Sequence, residues 1–558
     1  ARPSGSRAGA SSMSLEPNTT QRVAATLLDR LDTWQSCFDP AQAHELESLL
    51  RTIAASRFHQ PAALIRLHET LLFLRAYPLN AAVARLADGI LFSFAGRVAG
   101  VELEAFQEPE AAGIAGTSLT AVFSYEVARG LAARHPKNVE IAWDCHDGIA
   151  DLGPTLSKLL PLLAEDWPVE AHVPFRQWIA AMRSHAHSGD GTSDLTWLLR
   201  RLEALPLGPR ERAEAWNAMQ LPITWDIGTA RTSRSRLRLP RECMRRRELF
   251  YHREPLLGRR DVSLDRELEA PPLPVRRLAR AEAQPILDLI LDTSSMRYRE
   301  LYGFSHPDCS AVYHADAGRG VDVYFFGVPP EWRLPLRAYH AGVFFKNGVP
   351  AGYVELLSLF ERAEVGFNLY YTFREGESAW LYARLLRLFH QVLGVNCFTV
   401  DPYQIGLENP EAVDSGAFWF YRKLGFRPVA PKAARLVERE EVRIGRTPGY
   451  RSGKRTLERL AQTYLIYEGP AATHGETCDS SGGSEWDGFT IRNLAMALQA
   501  MALQRSGIPA AAAEILKAKT RGQETRYLRL MQRDPRLRSE WMALGSRPER
   551  VVPTAVKV

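Results

Sequence analysis

Cysteine is scarce and poorly placed for structural use: Cys37, Cys145, Cys243, Cys309, Cys397 and Cys478 stand singly, with no CxxC pair. This excludes a zinc ribbon, argues against a disulfide scaffold, and points to a cytoplasmic location. Long apolar runs are also missing. The best candidate, Leu86 to Val101, is broken by Asp88, Gly89 and Arg97, short of the roughly 18 residues a membrane helix needs, so no membrane partner is expected. There is no repeat at solenoid periods and no low-complexity tract. Residues 1–12, ARPSGSRAGASS, lack the apolar centre of a secretion signal and read as a disordered tail.

What the sequence does contain suits packed domains. At 558 residues, with 46% apolar and 24% charged residues and a mean hydropathy of −0.22, three or four globular units are expected. The net charge of +6 is uneven. Thr229 to Arg260 holds eleven arginines against Glu242, Glu248 and Glu254, so the remainder is slightly acidic. With Glu269-Ala-Pro-Pro-Leu-Pro274 after it, this stretch reads as an interdomain linker. Its arginines could also meet nucleic-acid phosphates, with Phe250 and Tyr251 stacking on bases.

From Asn18 to about Gly100 apolar residues recur at helical spacing, as in Leu64, Leu67, Leu71 and Leu74, and Tyr77-Pro78 closes that run. Between Gly113 and Trp225 the pattern is mixed, with helices expected at Leu119–Arg134 and Thr155–Leu163 and strands at Val139–Trp143 and Leu221–Trp225. Farther on, Asn347-Gly348 sits between two β-rich runs and predicts a two-residue hairpin turn. A strand over Glu364–Phe373, a helix over Ala379–Leu393, a strand at 397–402, a helix from Asp414 ended by Gly425, and a final strand follow. Thr473–Gly488 reads as a loop, Thr490 as the cap of a helix running to Gly507, and the tail as helical to about Leu544.

Four local signals are weaker. His68-Glu69 lacks a second histidine four residues on, where Leu72 stands. His306, Cys309 and His314 match no standard metal spacing. Cys145-His146 point to opposite faces of a strand. Gly113 to Ser118 is more simply a helix cap than an anion site. No metal site is expected.

The strand and helix order, with a helix near Ala281–Leu291 before it, resembles the GNAT acyltransferase superfamily, in which two central strands splay around the pantetheine of acyl-coenzyme A. The most specific element is Asp414-Ser-Gly-Ala-Phe-Trp-Phe-Tyr-Arg-Lys-Leu-Gly-Phe426, similar to the family's N-x-x-A-x-x-L-Y-x-K-x-G-F, with Asp414 for Asn and Phe420 for Leu. The resemblance implies that Tyr421 protonates the departing thiolate. It also implies a pyrophosphate loop R/Q-x-x-G-x-G/A at Arg374-Glu-Gly-Glu-Ser-Ala379. Here Arg374, Gly376, Ser378 and Ala379, with Asp414 nearby, are the donor-binding candidates, while Glu377 occupies the central glycine position. Either Glu377 points away and the amides still hold phosphate, or the cradle is lost. Strand alternation puts Glu364 on one face with Gly366, Asn368 and Tyr370, and Glu364 or Glu355 is the candidate base.

The expected fold is therefore an α+β multidomain chain. Its segments are a tail over 1–12, a helical domain over 13–110, a mixed or helical domain over 111–228 and an Arg-rich linker over 229–270. A GNAT-like mixed-sheet domain flanked by helices spans 271–470, followed by a loop over 471–489 and a helical region over 490–558. The expected activity is transfer of an acetyl or other acyl group from acyl-CoA to an amine, with carrier proteins or aminoacyl-tRNA as variant donors. The alternative is a catalytically inactive GNAT-like binding or scaffold module, with nucleic acid, through Arg231–Arg260, as one option for its partner.

Overall fold

The computed structural model describes residues 19–36, 39–146, 192–244, 248–469 and 534–545, with 152, 176, 177, 179, 180, 183, 487, 489–492 and 494. The expected tail over 1–12, the helix at Thr155–Leu163, nearly all of the loop at Thr473–Gly488 and most of the helix from Thr490 to Gly507 lie outside these residues.

The amino-terminal helices follow the apolar spacing: α1 (Thr19–Ser36), α2 (Ala43–Ala55), α3 (Pro61–Ala76), α4 (Ala81–Phe92) and α5 (Phe94–Val98). Leu64, Leu67, Leu71 and Leu74 are buried on α3. α4 starts where Asn80 Oδ1 accepts the N–H groups of Ala82 and Val83 at 3.0 and 2.9 Å, two donors the helix itself cannot satisfy.

A three-stranded antiparallel sheet comes next, β1 (Ser118–Val122), β2 (Val139–Ile141) and β3 (Pro222–Asp226), in the order β1-β3-β2. It corrects the single helix expected from Leu119: Leu119 to Val122 pair with Trp225 to Pro222, and α6 begins only at Tyr125 and ends at Arg134. Cross-strand pairing of Thr120 with Thr224, whose hydroxyls meet at 2.8 Å, outweighs the local helical pattern. Helices α7 (Asp194–Glu203) and α8 (Pro209–Ala218) share a core with this sheet around Leu198, Leu202 and Trp216.

The second sheet has nine strands: β4 (Val275–Arg277), β5 (Val312–Gly318), β6 (Val321–Gly327), β7 (Ala338–Lys346), β8 (Val349–Leu359), β9 (Arg362–Leu369), β10 (Cys397–Val400), β11 (Arg427–Pro428) and β12 (Leu465–Glu468). Their order is β11-β12-β10-β9-β8-β7-β6-β5-β4, antiparallel except for the β9–β10 pair. The turn between β7 and β8 is the expected one, with φ of +49° at Asn347 and +77° at Gly348. Asn347 also ties distant segments together: its Nδ2 donates to the carbonyls of Ala76 and Phe250, and its Oδ1 accepts the Phe250 N–H.

Both faces of this sheet are covered. On β6, Val323 and Phe325 join the core containing α10 (Ser378–Leu393) and the amino-terminal helices, whereas Tyr324 and Phe326 join the core of α9 (Arg280–Ser295). The coarse expectation of helices around a large mixed sheet holds. Among the described residues no helix is long and apolar enough to cross a membrane.

The Arg-rich linker is packed into the protein. Arg234 pairs with Glu69 of α3 at 2.7 Å and donates to the Glu110 and Ala112 carbonyls. Arg238 pairs with Asp88, and Arg236 caps the Phe92 carbonyl while lying 4.2 Å from that ring. Arg245, Arg246 and Arg247 lie outside the described residues.

Candidate functional site

The site begins where β10 leaves β9. β9 pairs with β8 along its whole length, but with β10 only from Arg362 to Glu364, opposite Cys397 to Thr399. β9 then continues to Leu369, while the chain after Val400 turns away at Asp401-Pro402. Proline has no N–H for the ladder, and Asp401 Oδ1 caps the turn by accepting the Tyr403 N–H at 2.9 Å.

A cleft of about 1010 Å³ occupies the resulting gap. One side is β8 and β9, with Tyr353, Glu355 and Gly366 to Leu369, and the start of α10 contributes Ser378. The other side is α11 (Pro410–Asp414) and α12 (Ala417–Lys423), with Asp414, Phe420 and Tyr421. These helices correct the single one expected from Asp414: Asn409 caps α11, and Gly416, in the left-handed region at φ +68°, turns the chain into α12. The strand expected to run to Phe373 also stops early, at Leu369, before a 3-10 turn over Tyr371–Phe373.

Five of the eight candidate residues meet in this cleft: Glu355, Arg374, Ser378, Asp414 and Tyr421. Burial pushes the Tyr421 phenol far above its ordinary value, so it stays protonated, and it donates to Gln404 Oε1 at 3.3 Å. Burial likewise raises the Glu355 carboxyl, although the Tyr339 hydroxyl donates to it. Arg374 reaches across to pair with Glu411 on the facing helix.

The other three candidates lie outside the cleft lining. Glu364 is 3% exposed and pairs with Arg492 at 2.6 Å. Gly376 faces the amino-terminal helices: a Cβ there would lie 2.5 Å from the Tyr77 hydroxyl, so the glycine permits close packing. Ala379 is buried in the first turn of α10.

Glu377, which precedes α10, is 1% exposed and turned from the cleft. Its carboxylate pairs with Lys346 at 3.2 Å and Arg319 at 2.5 Å and accepts the Leu257 N–H at 3.2 Å. Burial alone would raise its pKa, but Lys346 and Arg319 hold it below the usual carboxylate range. The Ser378 end of the helix is thus left free of this charge.

Sequence reasoning missed Gln404 and Arg492. Gln404 bridges the splay, since its Oε1 accepts both the Phe367 N–H at 3.4 Å and the Tyr421 hydroxyl. Pro402 marks the end of β10 in the sequence, but nothing marks Gln404. Arg492 reaches Glu364 and Asp401 from 128 and about 90 residues away in the chain. Comparison with family models, with curated proteins and with solved structures finds no match.

Proposed function

We propose that the chain is a GNAT-type acyltransferase that moves an acyl group from acyl-coenzyme A to an amine. The observation that carries this reading is the parting of β9 and β10 after Glu364, which leaves the β10 side of Gly366 to Leu369, beside Tyr421, without a strand partner among the described residues and bridged by the Gln404 side chain at Phe367. An extended donor arm can lie along such an edge, its amides bonding to the strand. The free first-turn N–H groups of α10 and the Arg374 guanidinium suit the donor's phosphates.

In this reading the amine nitrogen attacks the thioester carbonyl, a C–N bond forms, and the C–S bond breaks. The bound ammonium first gives one proton to Glu355, which frees the lone pair for attack; the second N–H proton leaves to solvent as the intermediate collapses, and Tyr421 gives its proton to the departing thiolate and regains one from solvent. Glu364 is less suited to be the base because Arg492 already neutralises it. Glu355, Glu375, Asp401, Glu411 and Asp414 stand against Arg374 and Arg492 in the lining, a balance that favours a protonated amine as acceptor. The pairing of Glu377 with Lys346 and Arg319, away from the cleft, supports the catalytic reading over a non-catalytic module.

Calorimetric titration of the full chain with acetyl-CoA tests the proposal. Saturable binding at micromolar concentration is expected, followed by amine-dependent release of free thiol in an acceptor panel. Absence of binding to the wild type would overturn the reading.

A further inference from the structure

β11 and β12 are antiparallel neighbours that a short turn could join. Instead the chain between them builds two helices, α13 (Pro431–Arg446) and α14 (Lys454–Leu460), packed through Leu436, Val437, Leu457 and Leu460. Residues 431–460 carry nine Lys and Arg against four Glu, a surplus close to that of the whole chain.

Lys432, Arg435 and Arg439 of α13 and Arg459 of α14 converge on a groove of about 440 Å³, with Glu438 the one carboxylate in its lining. All four cations are exposed, and none makes an ion pair or side-chain hydrogen bond among the described residues. This contrasts with Arg234, Arg238 and Arg427, each committed to a carboxylate. The set continues to exposed Arg446, a rise of about 21 Å from Lys432, which spans roughly six phosphates of one duplex strand.

We infer that this groove binds the phosphodiester backbone of a double-stranded nucleic acid. Arginine predominates in it, and its planar fork matches phosphate oxygens in pairs. An acidic protein partner would want apolar anchors, but Val442 is the one large exposed apolar side chain of this helical pair. Among the described residues no aromatic ring lines the groove to stack on the bases of single strands. α14 also packs on α11, a wall of the cleft, through another face than the one carrying Arg459.

The test is fluorescence anisotropy of labelled duplex RNA, duplex DNA and single strands with the full chain, over about 50 to 200 mM KCl. A duplex should bind, with affinity falling steeply with salt. Lys432→Gln/Arg435→Gln/Arg439→Gln should weaken binding at least tenfold and lower the log–log salt slope by roughly 3. A control that removes the same charge elsewhere, Arg85→Gln/Lys137→Gln/Arg201→Gln, should bind as the wild type does, and acetyl-CoA titration should be unchanged in both variants. No duplex binding at low salt, equal losses in both variants, or binding to phosphatidylserine vesicles in place of the duplex would each overturn the inference.

Discussion

The carboxylate of Glu377 lies 3.2 Å from the Lys346 ammonium, and both side chains are almost wholly buried. The residue that looked like an obstacle to phosphate is thus a counterion for the β7–β8 hairpin. Glu377→Gly should leave Lys346 and Arg319 without their partner and cost about 3–5 kcal/mol, as breaking a buried ion pair does. Replacing the buried cation as well, as in Lys346→Met/Glu377→Leu, should recover the part of that loss that comes from the uncompensated Lys346 ammonium. Urea denaturation measures both; tighter acetyl-CoA binding by Glu377→Gly at unchanged stability would contradict this account.

Tyr421→Phe removes one hydroxyl whose protein contact is the 3.3 Å bond to Gln404. Stability should change by about 1 kcal/mol or less, while kcat in the thiol-release assay should fall at least about 100-fold. Glu355→Gln should flatten the acidic limb of the pH–rate profile.

Gly366 lies on the floor of the cleft, where an added Cβ would come 3.0 Å from Gln404 Nε2. Gly366→Val should therefore narrow the donor path and raise the Kd for acetyl-CoA at least tenfold, about 1.4 kcal/mol. A β-branched residue suits a strand, so the melting temperature should hold.

Stability should fall as the solution is acidified. Burial holds His68 and His306 down to about 4 and His252 to about 3. Each is neutral in the folded protein and takes a proton on unfolding between its folded value and about 6.5, so its contribution is present above about pH 6.5 and lost below it. The contacts agree: a neutral His68 can donate to Glu69 at 2.8 Å and accept from Ser235 at 2.9 Å. Glu126, raised to about 7 by burial, and Glu300, Glu355 and Glu364, also raised by burial, work in the opposite direction, while Glu69, which Arg234 holds down to about 2 against its burial, works with the histidines. A net loss of a few kcal/mol between about pH 7 and pH 4 is expected in urea melts, and His68→Gln should reduce the slope.

Local chemistry was legible wherever it decides structure alone. The apolar stripes of α3 and α10, the Asn347-Gly348 turn and the strand after Leu393 need only periodicity and turn stereochemistry. The motif at Asp414 to Phe426 led to Tyr421 and to one wall of the cleft. Its break at Gly416 is not legible, because a glycine within a helical pattern is compatible with continuous helix as well as with a left-handed turn.

By itself the sequence determined the character of the segments: which faces are apolar, where turns fall, and where charge accumulates. Only the tertiary structure decided what those charges do. Glu377 turns to Lys346, Arg234 is held by Glu69, and Arg492 covers Glu364, whereas Lys432, Arg435, Arg439 and Arg459 are left unpaired around a groove among the described residues. The physical reason is range: helix and turn preferences act over a few residues, but a charge is neutralised by whatever the fold brings within about 4 Å, however distant in the chain.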